Sequence, residues 1–221
     1  MTCQAEFSNV YLYGEIGIDV DAQFIRAAIE DAQDGIDLRI NSGGGEVFEG
    51  QAIYSLLNQY KTNTGNTVRV FIDSLAASIA SVIAMAGDEI LIAENALFMV
   101  HNPWTWGGGT SKELRDTADV LDKVRDTLIT VYDRRTNLGR EEIGNLMDAE
   151  TWLDASEAID YGFADKITAP SQVMAASVNA FSYRHAPPSI QQPDETPAEK
   201  KSFAPHRRNR AALHLRNLKS R

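Results

Sequence analysis

Apolar residues along the first hundred positions recur at two spacings that alternate. NVYLYGEI (9–16) reads as a strand, with Val10, Leu12 and Ile16 among tyrosines. DAQFIRAAIEDAQDG (21–35) switches to helical spacing through Phe24, Ile25, Ala28 and Ile29, with Gly35 as a stop. IDLRI is a strand, NSGGGEVFEG a glycine turn, and EGQAIYSLLNQYKT a helix. TVRVFI (67–72) is a strand, and LAASIASVIAMAGD (75–88) is apolar on every face and reads as a buried helix. EILIA and LFMVH give two more short strands. The order predicts an α/β fold with a largely parallel sheet.

KELRDTADVLDKVRDTLITVYDRRTNLG then predicts one long amphipathic helix, striped by Leu114, Ala118, Leu121, Val124, Leu128 and Val131. EEIGNLMDAETWLDASEAIDYGFADKI closes the body with shorter helices and a last strand. Near residue 185 the composition changes, and HAPPSIQQPDETPAEKKSFAPH holds five of the seven prolines. The expectation is a body over 1–184 and, over 185–221, a disordered proline-rich linker with a basic tail. RNRAALHLRNLKSR reads as a solvated tail or as a short helix that docks on a partner.

Charge sharpens the division. The chain carries −10, but residues 185–221 hold eight Lys and Arg against three acids, so the tail is +5 and the body −15. An acidic body repels nucleic acid, and a basic tail suits an acidic partner. No apolar run is long enough to cross a membrane, and MTCQAEFSNVYLYGEIG lacks the pattern of a secretory signal. One cysteine, Cys3, excludes an internal disulfide. These signals fit a cytoplasmic protein.

Candidate chemistry gathers in three places. Ser78 follows an apolar strand and opens an apolar helix, the kind of rim where α/β sheets bind ligands. Free backbone N–H groups at a helix start can hold an oxyanion. Ser78 and Ser81 equally suit close helix packing, and serine is a common N-cap. His101 is the one histidine of the body and ends the strand LFMV, before Asn102-Pro103. It is the base available to a serine on that rim. Gly43, Gly44 and Gly45 let the backbone approach a ligand. Glu46 stands where a P-loop needs lysine, so phosphate binding is not indicated.

INSGGGEVFEGQAIY, SLAASIASVIAMAG, FMVHNPW and AETWLDASEAIDYGFADKI together resemble, in order and spacing, the motif blocks of the Clp protease proteolytic subunit family. The resemblance spans about residues 9–168 and leans to the phage and prophage branch of head-maturation proteases. It implies stacked βα units of the Clp/crotonase kind with a handle helix projecting over about 111–137, entered through WGGGTSK as a hinge. It implies Ser78 as nucleophile, His101 as general base, and the backbone N–H groups of Gly45 and Ile79 as oxyanion hole. Glu150 stands where the family usually has Asp, with Asp148 a nearby substitute. The turn Ser42-Gly43-Gly44-Gly45 and Ser74 also depart from the family pattern. Few residues precede the first strand, an arrangement expected of a protease that acts without an ATPase unfoldase or is only weakly coupled to one.

The implied function is a serine endopeptidase that needs no cofactor and no metal. It would self-associate into a ring or double ring and cleave protein substrates, capsid or scaffold proteins of a phage among them. Two other readings stand beside it: a catalytically inactive scaffold of the same shell, and a crotonase-like acyl-CoA enzyme.

Overall fold

The computed structural model describes residues 7–170 and 183–187. The elements alternate as the apolar spacing predicts. They are β1 (Ser8–Tyr13), α1 (Ala22–Glu30), β2 (Ile36–Ser42), α2 (Val47–Thr64), β3 (Val68–Ala77), α3 (Ile79–Ala84), β4 (Glu89–Ala93) and β5 (Leu97–Val100). α4 (Ser111–Asp133), α5 (Arg140–Asp148), β6 (Thr151–Leu153), α6 (Ala155–Asp160) and β7 (Lys166–Thr168) follow. Local chemistry sets several boundaries. α1 is capped by the Asp21 carboxylate, which accepts from Phe24 N–H. α2 ends at Gly65, whose φ of 72° is the left-handed stop that glycine adopts freely. α4 and α6 each begin with a capping box, Thr110 with Glu113 and Asp154 with Glu157.

The sheet runs β1-β2-β3-β4-β7, parallel throughout. Its strands present Leu38, Ile40, Val70, Ile72, Ile90 and Ile92 to the buried core. On the alternate positions Arg69 pairs with Asp37, and Arg39 with the buried Asp73. Asp73 also accepts from Tyr13 Oη at 2.6 Å. β3 changes partner along its length. Arg69–Ile72 pair with β4, and Leu75–Ala77 pair instead with β5. β5 is paired on its other side with β6, antiparallel.

Two expectations are corrected by this topology. The segment read as a helix over 75–88 is strand up to Ala77, and its helix is only Ile79–Ala84. Leu75, Ala76 and Ala77 are buried within the sheet. A run that is apolar at every position fits a buried strand as well as a buried helix, so periodicity could not separate them. The long helix ends at Asp133, short of 137, where Thr136 turns inward and donates its hydroxyl to Tyr132 O at 3.0 Å. Buried residues of α4 are confined to Leu128, Ile129 and Tyr132. Its earlier turns leave Leu114 at 46% and Val120 at 53% exposed, as a projecting helix requires. Among the described residues no helix is long and apolar enough to cross a membrane.

Of the segment read as linker and tail, His185–Pro187 are described, and His185 packs back on the body. The docking helix and the basic residues from Lys200 onward lie outside the described residues, as does Cys3.

Gly50 fixes how closely α2 approaches α3, because a Cβ there would meet Ile79 Cγ1 at 2.1 Å. Gly50→Ala is therefore expected to destabilise the fold by about 1–3 kcal/mol through overpacking, despite alanine's better helix propensity. Chemical denaturation of the two proteins measures this. A stability equal to or above the parent's would show that the α2–α3 contact yields easily.

Candidate active site

Ser78 occupies the joint between β3 and α3. Its N–H donates to Met99 O at 3.1 Å, which continues the β3–β5 pairing by one residue. Its backbone lies at φ 56°, ψ −129°, a conformation that costs a non-glycine residue roughly 1–3 kcal/mol. The strand turns sharply into the helix there, and the side chain is thrown out of the turn, as at other strained strand-to-helix serines. No cap hydrogen bond is made by the Ser78 side chain, so serving as an N-cap does not account for it. Its Oγ lies 2.7 Å from His101 Nε2, the geometry in which a hydroxyl donates to a neutral imidazole. Ser81 has another task. It is fully buried, donates to Ser78 O at 2.5 Å, and shares a 2.8 Å hydrogen bond with Tyr132 Oη of α4.

His101 directly follows β5. Burial lowers its pKa from the ordinary value, and the charge of Glu150 opposes that shift in part. Glu150 comes within electrostatic reach because β6 pairs with β5, Val100 opposite Thr151. It holds a left-handed backbone, φ 50°. Its carboxylate, however, accepts from the N–H groups of Arg184 and His185, at 3.1 and 2.7 Å. Among the described residues, Ser78 is the one hydrogen-bond partner of the His101 ring. Asp148, the substitute, is engaged elsewhere. It accepts from Asn102 Nδ2 at 2.7 Å and Arg125 at 3.0 Å, and the Asn102 bond leads in lowering its pKa. That cluster ties α4 and α5 to the end of β5.

The glycine turn lies against the serine. A Cβ on Gly44 would sit 2.6 Å from Ser78 Cβ, and one on Gly45 would strike Ile16 O at 2.2 Å. Both glycines have positive φ, 101° and 145°. Neither Gly45 N–H nor Ile79 N–H donates a hydrogen bond to another described residue. An open cavity of about 910 Å³ adjoins His101, with Trp104, Trp106 and Glu150 in its lining. Such an arrangement can deprotonate a serine hydroxyl and stabilise the oxyanion left on a carbonyl that this hydroxyl attacks.

Of the three turn glycines, Gly44 is the one that comes close to Ser78. Two participants escaped sequence reasoning. Arg125 lies in the middle of the long helix and looks like ordinary surface charge until Asn102 and Asp148 are seen beside it. Tyr183 stands at the edge of the proline-rich change in composition. It packs edge-on to His101 and Trp152, with ring centroids 5.5 and 5.4 Å apart. No local signal marked it.

The two serines can be told apart by experiment. Ser81→Ala leaves the fully buried Tyr132 hydroxyl without its partner, an expected loss of about 1–3 kcal/mol. Ser78→Ala removes no cap and no core contact, only the hydroxyl hydrogen bond to the His101 ring, and is expected to cost about 1 kcal/mol or less. Thermal or denaturant unfolding of both variants checks the contrast, and the reverse order of stabilities would overturn this assignment.

The family description "Clp protease" matches residues 8–171. The ATP-dependent Clp protease proteolytic subunit 2 of Thermobifida fusca is 32% identical over 155 residues, covering 69% of this chain and 74% of that one. Subunit 1 of Leifsonia xyli subsp. xyli is 31% identical over 151 residues, covering 67% and 75%. The Deinococcus radiodurans subunit is 30% identical over 163 residues, covering 73% and 78%. Among solved structures, a mutant ClpP1 from Listeria monocytogenes superposes with a TM-score of 0.64 at 25% identity, covering 73% of this chain and 91% of that chain. A match across most of the body, joined to a strained serine hydrogen-bonded to a histidine, makes this chain a member of the Clp protease family.

Proposed function

We propose that the protein is a serine endopeptidase with Ser78 as nucleophile, His101 as general base and Glu150 as the acid that steadies the imidazolium. The observation that carries this reading is the 2.7 Å contact between Ser78 Oγ and His101 Nε2 at a strained turn. Ser78 Oγ attacks the scissile carbonyl carbon while His101 Nε2 accepts its proton. Gly45 N–H and Ile79 N–H receive the oxyanion. As the C–N bond breaks, His101 returns the proton to the leaving amine. Water, deprotonated by the same nitrogen, then releases the acyl group and restores the serine.

The substrates in this proposal are proteins, and the enzyme works as a self-associated ring or double ring in the cytoplasm of a bacterial host or in a phage prohead. The exposed apolar positions on α4 support self-association. The narrower role, maturation of capsid or scaffold proteins without an ATPase, rests on the sequence blocks that resemble the phage branch. The inactive-scaffold reading does not call for a hydroxyl set against an imidazole. An acyl-CoA enzyme of crotonase type has no use for that pair.

Fluorophosphonate labelling of the assembled protein, with the modified peptide mapped, tests the peptidase. Labelling at Ser78 that falls about 10²- to 10⁴-fold in His101→Ala is expected. A correctly assembled protein that takes no label would hand the lead to the scaffold reading. The pH profile adds a second check. The base must be neutral, and burial lowers its pKa, so activity should rise with pH through a limb below the ordinary histidine value of about 6.5. The Glu150 charge raises that pKa. Glu150→Gln should therefore move the limb to still lower pH while reducing the rate. A limb displaced upward would contradict the assignment.

A further inference from the structure

The chain crosses its own cleft at Tyr183–Pro187. Tyr183 donates its hydroxyl to Gly43 O, in the turn that supplies Gly44 and Gly45. Its ring stands edge-on to His101 on one side and Trp152 on the other. Arg184 N–H and His185 N–H take the two oxygens of Glu150. His185 Nδ1 lies 3.1 Å from Ala149 O. Trp152 Nε1, buried in the same place, has no acceptor among the described residues. The segment thus binds the glycine turn at one end and the Ala149–Glu150 corner at the other, with His101 between them. Tyr183, Arg184 and His185 form part of the wall of the cavity beside His101.

We propose that Tyr183–Pro187 is an autoinhibitory latch, which lines the cleft beside His101 and holds the Glu150 carboxylate on its own backbone N–H groups instead of leaving it to the imidazole. The proposal rests on the peptidase reading above. Being part of the same chain, the segment competes with substrate at a high effective concentration. A second copy, a substrate or a partner that displaces it would free Glu150 to face the imidazole.

The test compares rates of fluorophosphonate labelling at Ser78 in the full-length protein and two variants, at matched oligomeric state. Tyr183→Ala removes the ring and the bond to Gly43. His185→Pro removes one N–H donor to Glu150 and leaves Tyr183 in place, so it tests the latch even if Tyr183→Ala folds poorly. Each is expected to raise the labelling rate about tenfold, since an open form populated at a tenth or less becomes dominant. Adding Glu150→Gln to either should remove the gain. Unchanged or slower labelling in folded, assembled variants would overturn the latch and make the segment a buttress for His101. A gain that survives Glu150→Gln would overturn the claim that Glu150 is held back. Absence of label from the parent and every variant would bring down the peptidase reading itself, and the latch with it.

Discussion

The arrangement depends on a strand of four residues. β5 is hydrogen-bonded along both edges, to the end of β3 on one side and to β6 on the other. Ser78 directly follows β3, His101 directly follows β5, and Glu150 directly precedes β6. The three residues converge because backbone ladders with fixed registers carry them to one edge. A slip of one residue on either side of β5 would reverse every side chain of the displaced strand. The register is held by burial: Phe98, Met99 and Val100 are fully buried, and Met99 packs with Leu75 and Ala77. Side-chain placement at the site is in this sense a property of sheet pairing.

That pairing is achieved with backbone strain. Among the described residues, Ser78 and Glu150 are the two non-glycine positions with positive φ. Each lies on the strand joint that delivers it to His101. Such conformations persist when their surroundings over-determine them. At Ser78 the surroundings are Met99 O, Ser81, and the close approach of Gly44. At Glu150 they include its N–H bond to Met147 O and the backbone of Arg184 and His185. The first set is built into the core, whereas the second includes a segment 34 and 35 residues further along the chain. The serine side of the site is therefore fixed by the fold, and the carboxylate side is free to change partner.

Sequence legibility follows the same division. The βα alternation could be read because each strand and helix buries one face at its own period, and EILIA coincides with β4. Ser78 and His101 could be proposed as a pair because a serine opening an apolar segment and the body's single histidine ending a strand both fall where strands end. The junction at 73–78 was misread because small apolar residues carry no period. β6 was missed because three residues give no pattern. The placements of Glu150, Arg125 and Tyr183 follow from contacts between distant parts of the chain, which composition and spacing do not encode.

The electrostatics give the two carboxylate positions different meanings. A buried imidazole resists a charge, which keeps His101 in the neutral form that can accept a proton. The same burial penalises the imidazolium that the proposed reaction would form. A carboxylate close to Nδ1 compensates for that penalty. Glu150 acts on His101 through its charge alone while its oxygens accept backbone N–H groups. Those N–H dipoles oppose part of the negative charge that faces the ring. A base poised to accept a proton can thus coexist with a carboxylate not yet committed to it.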